Sequence, residues 1–248
     1  MQLITSTDNP KFKFLKTLTT PKGRTNSGLC LVEGQKIIWE NLELVEQIIL
    51  RDDIQVTPNL ADMELIVLSQ KLFNQISDID SPCGMMATVR IPQNQPTWTY
   101  PMLVLDRIAD PGNVGTILRS AAAFGYDSVV AINCAGIYSQ KVIRAAMGHQ
   151  FKLKNTVIIS SDNFFNSIDQ FGNPTFLLAD LDGTSIKELN NKISGDFALV
   201  LGNEGDGPDP RFRKLNHQVI TIPMSTKTES LNVAVAGGII MYFLEIIK

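Results

Sequence analysis

The feature that most constrains this 248-residue chain is a series of short apolar runs in its C-terminal part, separated by segments of helical periodicity. The runs are Met102–Asp106, Ser128–Ile132, Thr156–Ile159, Thr175–Ala179, Phe197–Leu201 and Val219–Ile222, and helical patterns fall over Val114–Phe124, Gln140–Met147 and Phe164–Gln170. A continuously apolar strand is buried on both faces, and strands alternating with helices run parallel. The expectation is therefore an α/β domain with a parallel sheet covered on both sides. Ligands in such sheets sit beyond the carboxyl ends of the strands. Three segments, Asp110–Arg119, Gly202–Gly207 and Ile222–Asn232, follow predicted strands and are the places to look for chemistry.

The stretch Ile91–Pro101 holds three prolines and no charge, and reads as a connector. Before it the pattern predicts a helix over Lys11–Thr19, a strand at Leu29–Glu33 and a helix over Gly34–Leu42. Further strands are expected at Gln47–Leu50, Leu65–Leu68 and Gly84–Arg90. The organisation expected is a small α/β domain over residues 1–90, a linker over 91–101 and a larger domain over 102–248. The most hydrophobic stretch, Leu231–Ile247, includes Asn232, Gly237, Gly238 and Glu245. It is shorter than the roughly 20 residues that span a bilayer, so a buried helix packed on a sheet or a partner subunit is expected.

Composition narrows the classes further. Cys30, Cys83 and Cys134 are widely spaced, and with only two histidines beside them no zinc-ligand pattern forms. The N-terminus lacks the basic-then-apolar pattern of a secretory signal, and the expectation is a reduced, cytoplasmic setting with no metal. The net charge of −3 argues against a generic nucleic-acid binder. Its distribution does not: Lys11, Lys13, Lys16, Lys22 and Arg24 lie between Asn9 and Val32 with no acidic residue among them. That run is either a phosphate-contacting patch or a solvated helix face.

In the first of the three segments a Pro-Gly turn precedes Asn113, which is placed to cap the next helix, with Arg119 expected in its second turn. An arginine near a helix start suits an anionic partner, a phosphate or a developing alkoxide, better than it suits its own helix. The structural alternative is a pairing with Asp106, Asp110 or Glu204. The second segment has three glycines in six residues, which implies unusual backbone or close approach to a ligand. A phosphate loop is the rival reading, but Glu204 and Asp206 would repel a pyrophosphate. In the third, Glu229 and Ser230 are expected in the first turn of the terminal helix. Asn232 either caps that helix, satisfies core polarity or faces a ligand.

Together and in this order the segments resemble the motifs of the SpoU (TrmH-like) branch of the SPOUT RNA methyltransferases. The matches are Asn113–Arg119, Gly202–Gly207 and Ile222–Ala236, within a resemblance covering residues 102–248. Asn9-Pro10-Lys11, the basic run and Leu31–Gly34 resemble, more weakly, the small substrate-binding domain often attached to that family. The resemblance implies a SPOUT-type α/β domain with a C-terminal trefoil knot, an exception to unknotted topology. It also implies S-adenosylmethionine as cofactor, 2′-O-methylation of RNA ribose, and a homodimer through the knotted domain. The cofactor is expected against Leu201, Gly202, Gly207, Ile222, Pro223 and Leu231. The catalytic set is Arg119, Asn113, Glu204, Ser230 and Asn232, and the RNA-binding set is Lys11, Lys13, Lys16, Lys22 and Arg24.

Gly112 stands where many relatives have His, and Ala234 where Ser is usual. The Pro-Gly-Asn variant is similar to that of rRNA-modifying members and points to ribosomal RNA, with tRNA or a catalytically weak RNA-binding role as alternatives. A guanidinium has a pKa above about 12, so Arg119 is expected to stabilise an alkoxide or hold a phosphate, not to act as a base. Glu204 and Asn232 are expected to orient it.

Overall fold

The computed structural model describes residues 3–55, 63–93, 98–189, 195–225 and 228–246. Part of the connector (94–97), part of the third segment (226–227) and Ile247 lie outside the described residues. The chain divides into two compact units, one comprising Met1–Pro92 with Tyr138–Phe151, the other Gln93–Ile137 with Lys152–Lys248.

The first unit holds a five-stranded mixed sheet. Its elements are β1 (Leu3–Ile4), α1 (Pro10–Thr17), α2 (Pro21–Ser27), β2 (Leu29–Glu33), α3 (Gln35–Trp39), β3 (Val45–Arg51), β4 (Leu65–Leu68), α4 (Gln70–Ile76) and β5 (Met85–Arg90). The strand order is β1-β4-β3-β5-β2, with β5 antiparallel to both neighbours. Asn9 starts α1 by accepting from the Lys11 N–H at 2.9 Å, and Pro10 sits at its first position, where a missing N–H costs nothing. Phe12 and Leu15 from α1 pack with Leu31, Ile49, Leu72 and Phe73 into one core. Helix α2 was not expected, although its signals are present: Thr20 caps it, Pro21 opens it and Gly28, at φ +68°, closes it in the left-handed conformation.

The second unit is built on six parallel strands: β6 (Met102–Asp106), β7 (Ser128–Ile132), β8 (Asn155–Ile159), β9 (Thr175–Ser185), β10 (Phe197–Leu201) and β11 (His217–Thr221). Their order is β11-β9-β10-β6-β7-β8. Strands β6, β7 and β10 are buried along their whole length, in keeping with their apolar runs, the polar ends Asp106 and Ser128 included. Helices α5 (Pro111–Ala123), α7 (Ser161–Asn166) and α8 (Val233–Ile246) belong to this unit. Helix α6 (Gln140–Ala145) lies between β7 and β8 in sequence but groups with the first unit. There Gln140 donates to the Ile76 carbonyl at 2.8 Å and Arg144 pairs with Asp78 at 2.5 Å.

Two features of the second unit position the site. Strand β9 runs to Ser185, beyond the expected end at Ala179, and its extension pairs with β11 after a register shift at Val219/Ile220. Gly183 permits this: a Cβ there would lie 2.8 Å from the Ile220 nitrogen. Helix α8 packs on α5, and Gly237 lets it approach β10, since a Cβ would meet Leu201 Cδ1 at 2.6 Å. That close packing offsets the helix-weakening effect of glycine. Among the described residues no helix is long and apolar enough to cross a membrane.

Candidate active site

At the carboxyl ends of β10 and β11, and along the middle of β9, the second unit forms an open cavity of about 220 Å³. Its walls come from Ala179–Leu181, Leu201–Gly207, Ile220–Ile222, and Ser230, Leu231 and Val233 leading into α8. Ile222 and Leu231 face the same space as the glycine-rich loop, so two of the three segments form one pocket. Of the expected cofactor residues, Leu201, Gly202, Gly207, Ile222 and Leu231 are wall residues, whereas Pro223 is not. Strand β9 contributes Asp180 and Leu181, which sequence reasoning missed. They directly follow Ala179, the expected end of that strand, which is where the rule that ligands sit after strand ends points.

The walls carry the carboxylates of Asp180, Glu204 and Asp206, and no Lys, Arg or His is among the described wall residues. Such a pocket disfavours phosphates and suits a ligand that is cationic and partly apolar. Gly202 is indispensable to its shape: a Cβ there would fall 2.2 Å from the carbonyl carbon of Gly207 and from the nitrogen of Pro208. The loop folds on itself at that point, with the Gly207 N–H donating to the Asn203 carbonyl at 2.9 Å.

The first segment meets the other two through Asn113. Its Nδ2 donates to Glu204 Oε1 at 2.7 Å, and its Oδ1 accepts from Asn232 Nδ2 at 2.9 Å. Asn232 Oδ1 in turn accepts from the Ala234 and Val235 N–H groups at 2.9 and 3.3 Å, capping α8. Capping and a link to the site are thus the work of two different atoms of one amide. The orientation of both amides follows from this network, because flipping either would set like groups against each other.

Several sequence expectations need correction. Asn113 does not cap α5; Asp110 does, its carboxylate accepting from the Asn113 N–H at 2.8 Å. Arg119 is in the third turn of a helix that begins at Pro111, not the second. The helix-dipole argument for it therefore fails, since that field fades within the first turn. Glu204 and Asn232 engage Asn113 instead of orienting Arg119. Arg119 is exposed and has no hydrogen bond or ion pair among the described residues, so the structural pairings with Asp106, Asp110 or Glu204 do not form. Glu229 and Ser230 precede α8 instead of forming its first turn, and Ser230 is exposed at the pocket wall.

The basic run also divides. Arg24 is buried, 8% exposed, and its guanidinium donates to the Leu18 and Thr19 carbonyls at 3.1 Å. Burial pulls its pKa below the ordinary arginine value. It braces the α1–α2 turn. Lys11 and Lys13 form exposed pairs with Glu64 and Asp8 at 3.5 and 2.9 Å, contacts of the kind that contribute little and exchange readily. Lys16 and Lys22 are exposed without an ion pair among the described residues. No cluster able to hold a metal ion occurs among the described residues.

Comparison with known proteins identifies the family. Residues 101–242 match the model of the SpoU rRNA Methylase family, and residues 9–87 match that of the MRM3-like substrate binding domain. The chain is 30% identical to the 23S rRNA (guanosine(2553)-2′-O)-methyltransferase RlmP of Bacillus subtilis, over 98% of this chain and 99% of that one. A solved RNA 2′-O ribose methyltransferase is 27% identical with a TM-score of 0.76, covering 98% and 97% of the two chains. The SpoU methyltransferase AviRb of Streptomyces viridochromogenes, solved with its cofactor AdoMet, shares the fold at a TM-score of 0.81, with 23% identity and coverage of 96% and 97%. By its matched residues and its full-length relative, this chain belongs to the SpoU rRNA methylase family.

Proposed function

We propose that this protein is an S-adenosylmethionine-dependent methyltransferase acting on a ribose 2′-hydroxyl of ribosomal RNA, with 23S rRNA as its substrate. The observation that carries this reading is the convergence of the three segments: Gly202–Gly207, Ile222 and Leu231 wall one pocket with no cationic side chain among its described wall residues, and Asn113 ties Glu204 to Asn232 beside it. The relative RlmP, similar over the whole chain, supports the choice of 23S rRNA.

When bound, S-adenosylmethionine supplies an electrophilic methyl group on a sulfonium. The residues present fit it. Leu201, Ile222 and Leu231 offer apolar surface, Gly202 and Gly207 allow close backbone approach, and the wall carboxylates favour a positive charge. Glu204, held by Asn113, and Ser230 face the acceptor. Arg119, uncommitted to any partner among the described residues, binds the phosphate next to the reacting ribose or stabilises the alkoxide as it develops. The hydroxyl proton leaves to that phosphate or to water.

In this reading residues 1–90 form the RNA substrate-binding domain, 91–101 the connector and 102–248 the methyltransferase domain. Lys16 and Lys22 contact phosphate, and Lys11 and Lys13 exchange their surface partners for it. The trefoil knot is part of the same reading, supported by Ile220–Ile222, Ser230 and Leu231 sharing the pocket with the Gly202–Gly207 loop. So is a homodimer: α8 leaves Val235, Ile239, Tyr242 and Ile246 exposed along its outer side, an apolar face that a second copy would cover. A cytoplasmic location belongs to the same reading, supported by the free cysteines, since free thiols persist there.

The test is incubation with methyl-labelled S-adenosylmethionine and unmodified total RNA, followed by mapping of 2′-O-methyl positions. Label in 23S rRNA is expected. Label confined to tRNA would overturn the substrate, and absence of label despite cofactor binding would overturn the reaction.

A further inference from the structure

Asp106 and Arg107 lie at the end of β6, outside the pocket walls, yet hold the loop that forms them. Asp106 is fully buried. Its Oδ2 accepts from the Asp209 N–H at 2.7 Å, and its two carboxylate oxygens accept from Arg107 Nε and Nη2 at 3.2–3.3 Å. The same Arg107 Nη2 donates to the Gly207 carbonyl at 2.9 Å, and Nη1 lies 3.9 Å from the Asp206 carboxylate. Asn203 completes the arrangement from the loop side. Its Nδ2 donates to the Arg107 carbonyl at 3.2 Å, while its Oδ1 accepts from the Gly205 and Asp206 N–H groups at 2.9 and 3.3 Å. Arg107 has φ +59°, a conformation that a residue with a side chain adopts at some cost. The hydrogen bonds to both the loop and the strand end are what this conformation makes possible.

We propose that Asp106, Arg107 and Asn203 are positioning residues that clamp the Gly202–Gly207 loop in the shape that binds the cofactor. The physical reason lies in the loop itself. With glycine at 202, 205 and 207 it loses more conformational entropy on ordering than an ordinary loop, and it has no side chain of its own to pack at those positions. A free loop would have to be ordered by the ligand, at the expense of affinity. The clamp orders it in advance, from a strand whose position the sheet determines. Arg107 suits this role because a guanidinium can serve a carboxylate and a carbonyl together, whereas an ammonium is a single point donor.

This inference rests on the cofactor reading of the pocket, and calorimetric titration of the full-length protein with S-adenosylmethionine separates the two. If the unmodified protein does not bind S-adenosylmethionine, the cofactor reading fails. If it binds, Arg107→Met and Asn203→Ala should each weaken binding by about tenfold, the effect of one lost charge-assisted or loop-ordering hydrogen bond. At saturating cofactor the turnover of Arg107→Met, whose side chain lies outside the pocket walls, should stay within about twofold of the parent, so that the loss sits in KM. Arg107→Lys keeps the charge beside Asp106 and should recover part of the affinity. Unchanged cofactor affinity in folded Arg107→Met and Asn203→Ala, checked by circular dichroism and melting, would overturn the clamp. So would a fall in kcat at unchanged KM. Should Arg107→Met fail to fold, Asn203→Ala and Arg107→Lys, which leave the buried Asp106 neutralised, decide the matter by the same readout.

Discussion

The side-chain amide of Asn113, in the first turn of α5, donates a 2.7 Å hydrogen bond to Glu204 in the glycine-rich loop. This is the bond by which a helix that does not line the pocket takes part in the site. The other end of the same amide accepts from Asn232, so a single side chain holds both the loop and the start of α8.

Replacing Asn113 with Ala removes both bonds while leaving α5 capped by Asp110 and α8 capped by Asn232. Methyl transfer should fall by at least about tenfold for the lost pair of hydrogen bonds. Single-turnover assays at saturating cofactor measure it, and cofactor affinity should change far less than the rate.

Arg119 is exposed and makes no internal bond among the described residues, so Arg119→Lys should leave the melting temperature unmoved. Turnover is expected to drop about a hundredfold, in keeping with the loss of a preorganised donor to developing charge. Retention of most of the turnover with undiminished RNA binding would show that no specific guanidinium role exists.

Gly202→Ala places a methyl group 2.2 Å from backbone atoms of Gly207 and Pro208, which cannot yield as a flexible side chain would. Destabilisation of about 1–3 kcal/mol is expected from the forced backbone shift. Denaturant titration measures that cost, and calorimetry should find cofactor binding abolished even where the fold persists.

Lys16→Ala and Lys22→Ala should each lower RNA affinity and reduce the salt slope of binding by about one, without affecting stability. Arg24→Met should do the reverse. It orphans the Leu18 and Thr19 carbonyls at a cost of about 1–3 kcal/mol and leaves the salt slope as it was. Filter binding across a salt series, paired with thermal melts, tells the two kinds of basic residue apart.

Burial pushes the Cys30 thiol up to about 12 and the thiol of half-buried Cys134 up to about 11, while Cys83 is exposed. Since the thiolate is the nucleophile, the two raised thiols stay protonated near pH 8. A thiol titration there should count one reactive cysteine in the native protein and three after denaturation. Rapid labelling of Cys30 or Cys134 in the native state would contradict that burial.

The sequence by itself determined the parallel sheet, the three segments and the family they resemble. Those signals are local: burial of β6, β7 or β10 on both faces shows in four or five consecutive apolar residues, and a motif is a spacing along the chain. Some unread elements were legible too, since α2 carries its own cap, opening proline and closing glycine. Tertiary structure decided what the polar side chains do. Asn113 finds its partners 91 and 119 residues away, Arg24 turns inward where its lysine neighbours stay in solvent, and β9 continues past Ala179 because β11 lies beside it to pair. Arg107 is invisible in the sequence for the same reason, since its bond to the Gly207 carbonyl spans 100 residues. Apolar periodicity reports how a residue faces the core. A hydrogen-bond partner is chosen only when distant segments are packed together, and no local pattern records that choice.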